Sequence, residues 1–242
     1  MNLAFTLLDW QANAPGLHEL AHWQQWSAHP PVIDDTQPLA KCSQLPMMTA
    51  RRLNSGSRAA VDCGLSLMRR HPVDALVFTS RHGELERNLR ILTALSQQQN
   101  LSPTDFAMSV HNAAVGSLTI AAAAPLVSTS LSAGADSFQQ GLVEVAALHA
   151  AGYRQVLLVD FEGVIPEIYH PHIPDQTLFS AYAVALLLAP GEACQCRGGM
   201  KGAAPAPVLP QSLLFLHAWL ARQTRFSLSG ERLHWQWECR YE

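Results

Sequence analysis

Two short apolar runs, each flanked by polar residues, constrain the fold of this chain more than any other feature. They are Asp74 to Thr79 (DALVFT) and Gln155 to Phe161 (QVLLVDF). A strand without polar alternation is typical of a sheet covered on both faces. Helical periodicity follows or precedes each run, at Gly83 to Gln98 and at Ala133 to Ala150. The alternation predicts an α/β fold.

The remaining predicted elements continue this alternation. We predict strands at Leu3 to Leu8, Pro125 to Ser130 and Leu178 to Leu188, and helices at His18 to Ala28, Met47 to Arg70 and Ala113 to Ala124. After residue 190 the composition changes, because Gly191 to Pro210 is rich in glycine and proline and reads as a loop. A helix at Gln211 to Arg222 and a hairpin folded at Ser229-Gly230 follow. We therefore divide the chain into a domain at 1–190 and an appendage of linker, helix and β-hairpin at 191–242.

The charge content excludes some functions and favours others. Only 14% of the residues are charged, against about 25% in ordinary globular proteins. The net charge is −3 and no dense Lys/Arg cluster occurs, so we expect no nucleic-acid partner. A surface so poor in charge favours coverage by another protein chain. No apolar run is long enough to span a bilayer and the N-terminus does not resemble a signal peptide, so we expect a cytoplasmic protein without membrane contact.

The cysteines and histidines do not form a recognised metal motif. Cys194, Cys196 and Cys239 offer three thiolates, but a Cys-x-Cys in a glycine-rich loop is more often a pair of free thiols. His170 and His172 flank a proline and are expected to point in opposite directions. We predict no metal and no cofactor.

The common catalytic motifs of hydrolases, nucleotide-binding proteins and zinc proteases are absent. Arg81-His82-Gly83 follows a predicted buried strand directly. Ligands often bind at that position in α/β sheets. Helix capping and turn geometry explain the same residues, and both interpretations stay open.

Three segments in order form the most specific pattern. They are Ser102 to Asn112 (SPTDFAMSVHN), Ala113 to Ile120 (AAVGSLTI) and Val127 to Gly134 (VSTSLSAG), and the last leads through a helix into QVLLVDF. The pattern resembles the N-terminal half of β-ketoacyl-acyl-carrier-protein synthases, the condensing enzymes of the thiolase fold. The resemblance covers roughly residues 1 to 190. It implies half of a thiolase-like fold, with a mixed sheet between two helical layers.

The resemblance also predicts that the catalytic nucleophile is missing. The family has Thr-Ala-Cys-Ser where this chain has Thr129 to Ser132, which aligns Leu131 with the cysteine. A leucine forms neither a thiolate nor a thioester, and the family's catalytic histidines belong to a second half that has no counterpart here. We therefore predict a subunit that is not an enzyme. The alternative is a stand-alone acyltransferase or hydrolase using Ser130 or Ser132, which would need an adjacent base.

A half-length chain without the nucleophile looks like the chain-length factor of type II polyketide systems, in the form associated with aryl polyene biosynthesis. The resemblance implies a heterodimer with a β-ketoacyl-ACP synthase and only indirect contact with acyl carrier protein. It assigns the partner interface to Pro125, Leu126, Val127, Ser128, Thr129 and Ser130. It assigns the wall of the partner's acyl pocket to Thr104, Asp105, Phe106 and Met108, with Asn88 and Leu92 on the preceding helix. The alternative is that Phe106 and Met108 pack in this chain's own core.

Overall fold

The computed structural model describes residues 1–173, 178–200, 209–231 and 233–241. The strands are β1 (Asn2–Asn13), β2 (Ala75–Thr79), β3 (Val127–Leu131), β4 (Val156–Glu162), β5 (Tyr182–Met200), β6 (Arg225–Ser229) and β7 (Leu233–Cys239). The helices are α1 (Leu20–Ser27), α2 (Met47–Ala50), α3 (Ser55–Arg70), α4 (Leu85–Ser96), α5 (Pro103–Ala107), α6 (Ala113–Ala122), α7 (Ser137–Ala150) and α8 (Gln211–Leu220). Within these ranges no helix has the length and apolar character needed to cross a bilayer.

The strands form one mixed sheet between two layers of helices. The order is β3-β2-β4-β5-β7-β6, and β1 pairs with β5 outside this path. β2, β3 and β4 are parallel, and β5 runs antiparallel to β4 and β1. Residues of α3 and α6 pack in the core on one face, and residues of α1, α7 and α8 pack on the other. All residues of β2 and β4 are buried, which confirms the predicted three-layer half-thiolase fold.

β5 is longer than the sequence predicts and it bends in the middle. Its register with β1 jumps from Thr6–Ala189 to Phe5–Cys194, which leaves residues 190–193 bulged. A Cβ atom at Gly191 would lie 2.1 Å from the Thr6 hydroxyl oxygen, so the bulge needs a glycine. The loop predicted to begin at Gly191 is therefore wrong as far as Met200, and residues 201–208 lie outside the described residues. The boundary predicted at residue 190 falls inside this strand.

The single helix predicted for Met47 to Arg70 is wrong, because the chain forms α2 and α3 there. Asn54 adopts an extended conformation and precedes the first turn of α3. Gly56 in that turn packs on the backbone at the end of β4, where a Cβ atom would lie 2.3 Å from the Glu162 carbonyl oxygen. The break between α2 and α3 places the first turn of α3 against the end of β4.

The predicted C-terminal helix and hairpin are present, and they share the main core. Phe215 of α8 and Trp235 and Trp237 of β7 are buried to 2% exposure or less. The Trp237 ring lies 5.6 Å from the ring of Phe5 on β1, between centroids. The C-terminal segment therefore completes the sheet and one of its helical layers.

β4 carries two carboxylates into the core. Asp160 accepts hydrogen bonds from the hydroxyls of Thr79 at 2.5 Å, Tyr182 at 3.0 Å and Ser212 at 2.5 Å. Burial raises the pKa of Asp160 against the opposing effect of these donors. Because Ser212 belongs to α8, Asp160 also connects the C-terminal segment to the centre of the sheet.

Glu162, at the end of β4, binds the loop that follows β2. It accepts hydrogen bonds from the Ser80 hydroxyl and from the His82 backbone N–H, the latter at 3.1 Å. Burial raises the pKa of Glu162 to about 8, and the two donors only partly oppose this effect. The carboxyl group is therefore mainly protonated at neutral pH.

We expect Glu162 to make the stability of the protein depend on pH. A raised carboxyl pKa gives a contribution that is fully present below the ordinary value of 4.5 and is lost as the pH rises through about 8. Each pKa unit corresponds to about 1.4 kcal/mol, so the free energy of unfolding should fall by on the order of a few kcal/mol over this window. Glu162→Gln should make this decline shallower in urea denaturation at several pH values. Glu192→Gln, which changes an exposed carboxylate, is the control, and equal slopes in both variants would contradict the assignment.

Candidate functional site

At the carboxyl ends of the parallel strands, Leu131 lies in one row with residues of β2 and β4. Leu131 ends β3 and lies opposite Thr79 of β2, which in turn lies opposite Asp160 of β4. The Leu131 side chain is half-buried and packs against the main core cluster. The residue aligned with the family's cysteine is thus an aliphatic group packed against the protein interior.

Neither serine beside Leu131 has an activating base. The Ser130 hydroxyl is buried and has no hydrogen-bond partner. The Ser132 hydroxyl donates to the Arg81 carbonyl oxygen at 3.0 Å. A serine nucleophile needs a histidine or carboxylate within hydrogen-bond reach, and the contacts of these two hydroxyls provide none. The geometry gives no support to the serine alternative.

His170 is partly buried and His172 is exposed, whereas Cys194, Cys196 and Cys239 are buried. The ring of His170 stacks on Phe179 with centroids 3.9 Å apart, and its Nε2 lies 2.9 Å from the Ile165 carbonyl oxygen. Cys194 faces Cys239 across β5 and β7, and burial raises the pKa of nearby Cys196 to about 12. In the described ranges, no group of three or more His, Cys, Asp or Glu residues is arranged to hold a metal ion.

The Arg81-His82-Gly83 segment forms a tightly anchored turn. Gly83 has a positive φ of 59°, and a Cβ atom there would lie 2.9 Å from the His111 ring. His111 Nε2 lies 3.0 Å from the Ser80 carbonyl oxygen. Burial lowers the pKa of His82 to about 4, so its ring is neutral at physiological pH. These contacts favour turn geometry as the explanation of this segment.

Within the described parts of the chain β3 pairs only with β2, so it forms one edge of the sheet. The Ser80 N–H donates to the Leu131 carbonyl oxygen at 3.3 Å, so the backbone groups of Leu131 face β2. Backbone groups of successive strand residues alternate in direction. Those of Val127 and Thr129 therefore also face β2, whereas those of Ser128 face the open edge. The strand begins two residues later than predicted, and Pro125 and Leu126 precede it.

Of the six predicted wall residues, two lie on α4 and three lie on α5. The sixth, Met108, ends α5. Phe106 is 67% exposed and Leu92 is 55% exposed. Thr104 is also exposed, and Asn88 is partly buried. Met108 packs in part against the core cluster below α3 and α6. The alternative placed both Phe106 and Met108 in the core of this chain. It is wrong for Phe106, which is exposed, and Met108 contacts the core.

Asp105 differs from the other predicted wall residues because its carboxylate is held within the chain. It forms ion pairs with Arg87 and with Arg90, the latter at 3.4 Å. Arg87 is the one buried residue of α4. Leu92 and Leu95 of the same helix are exposed. Sequence reasoning missed Arg87, for which the only signal was the i,i+3 spacing to Glu84.

Several exposed apolar side chains lie on or near α4, α5, α6 and β3. They are Leu92, Leu95, Phe106, Val110, Ile120 and Val127, with Ile120 at 81%, and others such as Val32, Met47 and Ile168 lie elsewhere. By contrast, no large apolar side chain described after residue 178 is exposed. Exposed apolar surface is a feature of protein interfaces. We name the six residues on or near α4, α5, α6 and β3, with the β3 edge, the apolar face.

Comparison with known proteins identifies the family. The family described as "Beta-ketoacyl synthase, N-terminal domain" matches residues 23–238. A chain in the structure of a ketosynthase (ApeO) in complex with its chain length factor (ApeC) from Xenorhabdus doucetiae is 58% identical. The match covers 98% of this chain and 99% of that one, with a TM-score of 0.95. No curated protein matches the sequence.

More distant structures share the fold alone. The ishigamide ketosynthase/chain length factor is 13% identical over 81% of this chain and 67% of its own, with a TM-score of 0.65. A beta-ketoacyl synthase from Burkholderia phymatum is 12% identical over 92% of this chain and 71% of its own, with a TM-score of 0.55. The resemblance in the sequence motifs is confirmed, and the chain belongs to the beta-ketoacyl synthase N-terminal domain family.

Proposed function

We propose that this protein is the non-catalytic, chain-length-factor-like partner of a β-ketoacyl-ACP synthase. The two chains form a heterodimer in polyketide or fatty-acid-type synthesis of the aryl polyene kind, and acyl carrier protein meets this chain only indirectly. The observation that carries the proposal is the open edge of β3, which ends at Leu131 and borders the apolar face. The 58% identity to a chain of a ketosynthase and chain-length-factor complex supports the same partner.

The non-catalytic role rests on Leu131 and on the two serines beside it. An aliphatic side chain cannot accept an acyl group, and the Ser130 hydroxyl is without a base. The nucleophile then belongs to the synthase. This chain stabilises the synthase and shapes its acyl pocket.

The pocket role rests on the exposure of Phe106 and Thr104 on α5. Phe106 exposes most of an aromatic ring to solvent in the isolated chain, which costs free energy unless a partner covers it. A partner paired along β3 lies next to α6, which contacts that strand. In that arrangement Phe106 closes the far end of the partner's acyl pocket, and Met108 supports it from below.

The first prediction concerns covalent chemistry. We expect the isolated chain, incubated with an acyl-ACP thioester, to show no acyl adduct by intact-protein mass spectrometry. An active ketosynthase treated in parallel is the positive control, because its cysteine accepts the acyl group. An adduct that disappears in Ser130→Ala or Ser132→Ala would instead establish the stand-alone acyltransferase or hydrolase.

A second prediction tests the β3 edge. Ser128→Pro removes a backbone donor that faces outward, so the isolated chain should keep its thermal stability. The partner strand would be left with an unpaired carbonyl, which costs about 1 to 3 kcal/mol, or roughly tenfold to a hundredfold in Kd. Ser128→Thr keeps the donor and is the matched control. Native mass spectrometry with the synthase measures the heterodimer, and equal association of both variants would count against pairing at β3.

A third prediction concerns product length. In a reconstituted heterodimer, Phe106→Ala and Met108→Ala should lengthen the products or broaden their distribution, because each empties volume at the end of the pocket. Thr104→Trp should shorten them. A clash or void of methylene size changes the difference in activation free energy between two products by about 1 to 3 kcal/mol. Leu20→Ala, an exposed residue of α1, is the control, and an unchanged distribution in all three variants with the complex intact would leave only a stabilising role.

A further inference from the structure

α5 is a short helix with little apolar burial, and its main apolar anchor is Met108, which follows it directly and packs in part against the core. The helix spans five residues, and none of them is buried. Ser102 caps its first turn by accepting a hydrogen bond from the Asp105 N–H at 3.2 Å. Isolated helices of this length are not stable in water. Contacts from outside the helix must therefore fix where α5 lies and where Phe106 points.

The main contact of this kind comes from Arg87 on α4. Arg87 is 4% exposed, and its guanidinium donates to the Asp105 carboxylate. The same group donates to the Arg52 carbonyl oxygen at 2.8 Å. One buried cation therefore joins α5 to α4 and to the turn before α3.

Glu84 holds the opposite side of Arg87. Its carboxylate lies 3.8 Å from the Arg87 Nε atom and accepts hydrogen bonds from the side chains of Ser57 and, at 2.7 Å, Asn54. Burial raises the pKa of Glu84, and Arg87 and the two donors oppose that effect. A path of polar contacts thus runs from the start of α3 through Glu84 and Arg87 to Asp105. We name these three charged residues the Arg87 cluster.

We propose that Arg87 is a positioning residue for chain-length control: it fixes α5, and through α5 it fixes the direction of Phe106. The inference rests on the proposed function, because Phe106 must line the partner's pocket for its direction to matter. Arg87 itself is buried in this chain and touches no substrate. A lysine at this position offers one compact ammonium group and lacks the planar fork that reaches acceptors on different sides.

The test compares three variants in the heterodimer with the synthase. Arg87→Lys keeps the charge and loses the fork. Asp105→Ala releases α5 while Arg87 and Glu84 stay paired, so it remains informative if Arg87→Lys folds poorly. Arg90→Lys changes an arginine of the same helix that also reaches Asp105 but is half exposed, and it is the matched control.

Two measurements are made on each variant. Hydrogen exchange of the peptide covering 101–112 reports the mobility of α5, and product length reports the pocket. We expect exchange about tenfold faster in Arg87→Lys and Asp105→Ala, with a broader product distribution and an unchanged heterodimer mass. Arg90→Lys should remain close to the unmodified protein.

The outcomes separate the inference from the proposed function. Unchanged exchange in both variants overturns the role of Arg87. Faster exchange with unchanged products overturns the link between α5 and chain length. If Phe106→Ala itself leaves the products unchanged, the pocket role fails, and exchange measured on the isolated chain still decides whether Arg87 fixes α5.

Discussion

Strand pairing along β5 is the interaction on which the rest of the structure depends. β1 pairs with β5 over almost its whole length, β4 pairs with its first part, and β7 pairs with its last part. The bulge at residues 190–193 lets one strand serve both parts, because it bends the sheet where β4 ends and β7 begins. The central parallel strands and the C-terminal hairpin are thereby joined in one sheet.

Most elements could be predicted from the sequence because their burial leaves a local pattern. β2 and β4 are covered on both faces, so they read as unbroken apolar runs. The bulge of β5 could not be predicted, because Pro190 and Gly191 are typical of loops and the close approach of Gly191 to Thr6 joins residues far apart in the sequence. The break before α3 has a similar cause, since Gly56 is required by the distant end of β4.

The candidate site divides in the same way. Leu131 could be predicted as a lost nucleophile from the order of short motifs, since the missing chemistry follows from the residue type alone. The burial of Arg87 could not, because a charged residue in an amphipathic helix is ordinarily assigned to the solvent face. Besides Glu84 at the start of the same helix, its contacts come from Asn54 and Asp105, which lie in separate segments.

The distribution of exposed apolar groups bears on which surface the partner covers. The low charge content suggested that another protein chain covers part of the surface. In the part of the chain that the structure describes, α8 and the β6–β7 hairpin bury their large apolar residues against β1 and β5. Exposed apolar groups lie on α4, α5 and α6 and along β3, and others, such as Leu20 and Met47, lie on α1 and α2. Under the proposed function, pairing at the β3 edge would complete the sheet there.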